Sequence, residues 1–141
     1  MATIKTKGLT LIELIVCTVI IGILSSAAPP ISRNFIRYEK EEALKTNLRD
    51  LREAIDRYRD KIRQQSPEKP EEECYPVTLQ DLVEQRILRK IPRDPMTLSP
   101  DWRTRSTSDP LNSSFSDGKN VFDVFSCATG TAHDGTLYSS W

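Results

Sequence analysis

The apolar positions of this chain fall into three patterns, and each predicts a different element. From residue 9 to residue 28 apolar side chains are nearly continuous, and Glu13 is the only charged one. About twenty residues at 1.5 Å rise cover roughly 30 Å as a helix, enough to span the hydrocarbon of a bilayer. From residue 31 to about residue 65 the pattern narrows to a stripe. Leu44, Leu48, Leu51, Ile55, Tyr58 and Ile62 recur at alternating steps of four and three, which lines one face of a helix. Glu41, Lys45, Arg49, Arg52, Asp56, Arg57, Arg59 and Lys61 read as its polar faces. Pro29 and Pro30 separate the two patterns. Either they end the membrane helix or they kink it. The immediate return of helical periodicity favours a continuous, kinked helix, which would approach roughly 80 Å. The stripe lasts under three heptads, so packing on its own domain is favoured over a coiled coil.

Past residue 66 the pattern shortens. Residues 66–76 are rich in proline and glutamate, and Glu71, Glu72 and Glu73 read as a solvated face. Thr78 and Asp81 have capping-box spacing. Leu79, Leu82, Val83 and Ile87 then predict a second, short helix that stops before Ile91-Pro92. Turn dipeptides follow at Asp94-Pro95, Ser99-Pro100, Asp109-Pro110 and Asp117-Gly118. Residues 121–125 form the best strand, with two further short strands at 102–105 and 137–141. The expected class is α+β: a long N-terminal helix, membrane-spanning in its first half, with a small C-terminal antiparallel sheet packed across its second half.

The chain has 141 residues. Outside the apolar run that leaves one small domain with a modest core. Twenty basic and twenty acidic residues balance to zero, so no global field draws the chain to nucleic acid. No phosphate-binding glycine loop and no zinc-spaced Cys/His cluster occurs. His133 is the only histidine, and no nucleophile–base pair is visible, so an enzyme is not expected. A lone carboxylate in an apolar helix costs roughly 2.5–3.5 kcal/mol at the centre and marks a functional position. Lys5 and Lys7 before the run place its start on the cytoplasmic side. A secretory signal cut near residues 25–28 is opposed by Pro29 and by Glu13. A plain signal anchor leaves the spacing of Gly8 and Glu13 unexplained.

The N-terminus resembles a type IV prepilin or pseudopilin. The residues that carry the likeness are Lys5, Lys7, Gly8, then Thr10-Leu11-Ile12-Glu13-Leu14 and the apolar stretch after them. The family usually has Phe after the Gly, where this chain has Leu9. The resemblance implies cleavage after Gly8 by a membrane-embedded prepilin peptidase and N-methylation of Leu9. It also implies that Glu13 pairs with the terminal amine of a neighbouring subunit during assembly. An ammonium and a carboxylate in a low-dielectric bundle are tolerable only together. Ile87-Leu88-Arg89-Lys90-Ile91-Pro92-Arg93-Asp94-Pro95 is similar to a stretch of the G-type major pseudopilins of type II secretion. So is the end, from Phe122 through His133-Asp134-Gly135-Thr136 to Trp141. The family usually continues from Asp-Pro into W-G-N-P-Y. Here Met96-Thr97-Leu98-Ser99-Pro100-Asp101-Trp102 stands there instead.

On this resemblance the chain divides into a leader (1–8), a transmembrane and filament-core helix (9–28), a continuing amphipathic helix (29–65) and a globular periplasmic domain (66–141). It reads as a structural subunit of a type II secretion pseudopilus, single-pass in the bacterial inner membrane until drawn into a filament in the periplasm. Its partners would be identical subunits, minor pseudopilins, the prepilin peptidase and an inner-membrane assembly platform. The alternatives are a type IV pilin for adhesion, motility or DNA uptake, and a membrane-anchored periplasmic binding module. Many such pseudopilins hold calcium in the C-terminal loop. The oxygen donors here would be Asp134 and, second, Asp123, with carbonyls of residues 126–131. The alternative is a loop held by turns alone, and no cofactor is required. Cys17 reads as a small hydrophobe in the apolar helix. Cys74 and Cys127, in the exported domain, are candidates for a disulfide.

Overall fold

A computed structural model describes residue 8, residues 10–110 and residues 115–141, with the backbone alone over 27–33. The elements run α1 (Leu11–Gln65), a 3₁₀ turn (Glu71–Cys74), α2 (Leu79–Glu84), β1 (Arg103–Arg105), β2 (Asp123–Phe125) and a 3₁₀ turn (Tyr138–Ser140). The chain separates into two compact units, residues 1–37 and residues 38–141. The α+β class is as expected, and α1 is one continuous helix through positions 29 and 30.

The second unit is built on the stripe. Leu44, Leu48, Leu51 and Ile55 are almost wholly buried, and Ala54 joins them. Against them pack Tyr75, Leu82, Trp102, Val121, Val124, Ala128, Ala132 and Tyr138. Tyr58 packs on the margin of this core. The sheet is smaller than the three strands expected. β1 and β2 pair antiparallel in the register Arg103↔Phe125, Thr104↔Val124 and Arg105↔Asp123. Residues 137–141 do not form a third strand. They close on themselves as the 3₁₀ turn, tied by the isolated bridge Thr131↔Leu137. Ser140 N donates to the Leu137 carbonyl and Trp141 N to that of Tyr138, which uses the groups a strand would need for pairing.

α2 starts where the capping box predicted. Both halves of the box are present, and the Asp81 carboxylate also accepts from Val77 N at 2.8 Å. It ends earlier than expected, in a Schellman motif. Arg86 N donates to Val83 O at 3.0 Å and Ile87 N to Leu82 O at 2.9 Å. The pivot, Arg86, has φ 57°, a conformation that glycine adopts without cost. Ile87 and Leu88 are thereby turned onto the core.

Residues 87–95, which carry the C-terminal likeness, are pinned by polar contacts. Asp94 is fully buried. Its Oδ1 accepts from Met96 N at 2.7 Å, and its Oδ2 accepts from Ser126 Oγ at 2.6 Å. Trp102 Nε1 donates to Pro92 O at 2.9 Å, and Asn47 Nδ2 donates to Arg93 O at 3.0 Å. The displaced tryptophan is therefore a core residue that holds this segment.

Candidate functional site

Thr10 stands just before α1, and its Oγ1 accepts from Glu13 N at 3.4 Å. Leu14 N closes the first turn on Thr10 O at 3.2 Å. The T-x-x-E spacing is thus a helix start as well as a motif, and the spacing itself is the signal for it. Glu13 lies in the first turn of α1 and is exposed. The partial positive charge of that helix end favours a carboxylate. Gly8 is exposed. Leu9 lies outside the described residues.

Around Glu13 the helix is apolar on every face. Leu11, Ile12, Leu14, Ile15, Val16, Val19, Ile20, Ile21, Ile23 and Leu24 all stand exposed. Two polar side chains of the stretch turn inward on the backbone: Thr18 Oγ1 donates to Ile15 O at 2.8 Å, and Ser26 Oγ donates to Ile23 O at 2.7 Å. A helix apolar all round, with the Thr18 and Ser26 hydroxyls satisfied internally, is built for apolar surroundings. Glu13 is the exception, and it needs a partner or a wet interface. Among the described residues, no helix is long and apolar enough to cross a membrane. The apolar side chains described from Leu11 to Ser26 cover about 24 Å, short of the roughly 30 Å of hydrocarbon.

The other sequence-predicted residues lie in the second unit. Asp123 accepts from Arg52 Nε at 2.8 Å through Oδ1 and from Arg105 Nη2 at 3.0 Å through Oδ2. It thereby joins α1, β1 and β2, and the guanidiniums of Arg52, Arg103 and Arg105 surround the Phe125 ring at 5.7, 5.1 and 5.0 Å. Asp134 Oδ1 accepts from Thr136 N at 2.9 Å and from Thr136 Oγ1 at 2.6 Å. The Thr136 hydroxyl, first, and its amide hold the Asp134 carboxyl below its ordinary range. Both carboxylates thus serve as acceptors within the chain. Among the described residues, no three of His, Cys, Asp and Glu come together to hold a metal ion.

Cys74 and Cys127 are both free. Cys74 is buried with its Sγ at 3.5 Å from Pro70 O, whereas Cys127 is exposed. Their thiols occupy different environments. Cys17 is exposed on the apolar helix.

Glu41 departs from the polar face that the helical pattern assigns to it. It is not on the solvated face but 4 % exposed at the head of the stripe. Its Oε1 accepts from Tyr138 Oη at 2.7 Å and from His133 N at 3.1 Å. The carboxylate holds the C-terminal segment to α1. Position 41 lies three before Leu44 and seven before Leu48, so the register itself placed it on the buried side.

Residues 4–29 match a family model described as the prokaryotic N-terminal methylation motif. No curated protein and no solved structure matches the chain. The motif and the α+β fold with its long leading helix together support a type IV pilin-like protein. The motif also supports leader cleavage, N-methylation and membrane-anchored assembly.

Proposed function

We propose that this chain is a structural subunit of a type II secretion pseudopilus. It is made as a precursor, cleaved after Gly8, methylated on Leu9 and drawn from the inner membrane into a helical filament. Its role is mechanical rather than enzymatic: apolar helices bundle at the filament core, and the domains of residues 38–141 coat the outside. One observation carries the filament reading. The methylation motif opens a helix whose apolar side chains are exposed on all faces, with Glu13 as the single charge among them. Bundling buries those faces. The new amine at Leu9 of an adjoining copy neutralises the carboxylate, which is otherwise too costly to enclose. Heterologous contacts that do not close propagate into a filament. The choice of the secretion system over a true pilus is supported by the Ile91-Pro92-Arg93-Asp94-Pro95 segment and the Asp134-Gly135-Thr136 ending.

The test combines mass spectrometry of the natural product with a Glu13→Ala variant. The mature chain is expected to begin at N-methylated Leu9. Glu13→Ala is expected to insert into the membrane and fail to assemble. A mature protein that retains Met1, or a variant that assembles normally, contradicts the reading. Neighbouring genes for protein export or for pilus retraction decide between the secretion and pilus forms.

A further inference from the structure

The whole chain is neutral, yet among the described residues its second unit sets an unengaged arginine and an unengaged acidic turn on two separate surfaces. α1 sets Lys45, Arg49 and Arg52 on successive turns at i, i+4 and i+7. With Leu48 they form one side of an open groove of about 270 Å³, completed by Thr136, Trp141 and the carboxylate of Asp134, which lies in the field of Lys45. Two of the cations are already engaged. Lys45 Nζ lies 3.3 Å from Glu42 Oε1 and 4.8 Å from the centre of the Trp141 ring. Arg52 holds Asp123 and donates to Val124 O at 3.0 Å. Arg49 is exposed between them, and among the described residues no hydrogen bond or ion pair engages it.

The opposite charge stands on the 3₁₀ turn Glu71–Cys74. Glu71, Glu72 and Glu73 are all exposed, and among the described residues none of their side chains is paired. Their backbone is fixed. Glu73 N donates to Pro70 O at 3.0 Å, Asn120 Nδ2 donates to Glu72 O at 2.9 Å, and Cys74 is buried beneath. Three carboxylates on a rigid turn keep their mutual repulsion unless a cation meets them. Within one chain Arg49 does not reach them. Tyr75, next to the turn, lies against Arg59, its Oη 3.4 Å from Nη1, and Arg59 is about 15 Å along α1 from Arg49.

We propose that the acidic turn Glu71–Cys74 of one copy docks into the groove of Lys45, Arg49 and Arg52 of a second copy, with Arg49 receiving the carboxylates. Turn and groove are different patches of the same surface, so the contact is heterologous and leaves a free turn and a free groove at either end. It rests on the filament reading for its purpose, and supplies the domains with a register that bundled apolar helices alone do not fix.

The experiment uses the full chain in two differently tagged copies, co-expressed and recovered together from detergent-solubilised membranes at low salt. Arg49→Glu is expected to lower co-recovery about fivefold, the size of one good exposed ion pair. The triple change Glu71→Lys, Glu72→Lys, Glu73→Lys is expected to do the same. A chain carrying all four changes is expected to recover, because the charges are again opposite. Raising the salt is expected to weaken the unaltered pair. Circular dichroism of each variant should match the parent, since every altered side chain is exposed. Unchanged co-recovery in either altered chain, or no recovery in the combined chain, overturns the docking. Assembly that survives Glu13→Ala while the charge swap still rescues overturns the filament reading alone. Assembly lost with Glu13→Ala while Arg49→Glu has no effect overturns the docking alone.

Discussion

Among the described residues, two hold the backbone in a left-handed conformation that their side chains resist: Arg86 at φ 57° and Leu98 at φ 61°. Each ends a helical turn, Arg86 after α2 and Leu98 after the turn opened by Asp94, where Leu98 N donates to Asp94 O at 2.7 Å. Leu98 is also 69 % exposed, so its side chain gains little from packing. Arg86→Gly and Leu98→Gly are each expected to stabilise the domain by about 1 kcal/mol, read as a higher denaturant midpoint at unchanged slope. A loss of stability at both positions would refute the strain. Carboxylates act at the same scale. The Ser106 backbone N–H, first, and Ser116 lower the pKa of Asp109, and the Ser108 hydroxyl, first, and the Lys119 backbone N–H lower that of Asp117. Asp134 is lowered by Thr136. Their folded values lie below the ordinary 3.8. Their contribution to stability is therefore complete above that pH and is lost as the pH falls below it. Thermal unfolding followed from pH 6 to pH 2 should show the loss, and Asp117→Asn should flatten the acid limb. Equal acid slopes in both proteins would count against it.

At the scale of elements, residues 87–100 show how a segment without regular structure is made rigid. Asp94 caps its own turn through Met96 N and fixes the segment to the end of β2 through Ser126, which is itself fully buried. Asp94→Ala is expected to cost about 2–4 kcal/mol, the sum of a lost cap and a buried Ser126 hydroxyl hydrogen left without an acceptor, its oxygen still accepting from Ala128 N. Chemical denaturation measures it, and a cost below about 1 kcal/mol would mean that Ser126 finds water instead. The Asp94-Pro95 dipeptide was legible as a turn, because proline fixes its own backbone. That the carboxylate also reaches Ser126 was not, since thirty-two positions separate them. The helices show the same limit. The stripe of Leu44, Leu48, Leu51 and Ile55 is a period any helix must obey. The strands are three residues each, too short for period or propensity to set their partners.

At the scale of the molecule the two units differ in kind. Residues 38–141 enclose a core of their own, whereas the described apolar side chains of residues 11–24 stand exposed. A fragment of residues 38–141 is therefore expected to fold alone and stay in solution without detergent, giving near-ultraviolet circular dichroism from Trp102 and Trp141. The full chain is expected to need detergent or lipid. A fragment that unfolds or aggregates would show that the leading half of α1 is required for the fold.

The N-terminal motif, the helix and its buried stripe were written in local order: a lone acid at fixed spacing, apolar positions at a helical period, a capping pair before α2. Such features depend on neighbours a few residues apart, so the chain alone determined them. The tertiary structure decided what depends on distant partners. It drew Glu41 into the core to meet Tyr138, gave Asp123 to two arginines and folded the last five residues into a turn. It also buried Cys74. A charged or sulfur-bearing side chain shows its chemistry in sequence, but whether that chemistry is used inside the chain or offered outside depends on which groups packing brings within about 3 Å.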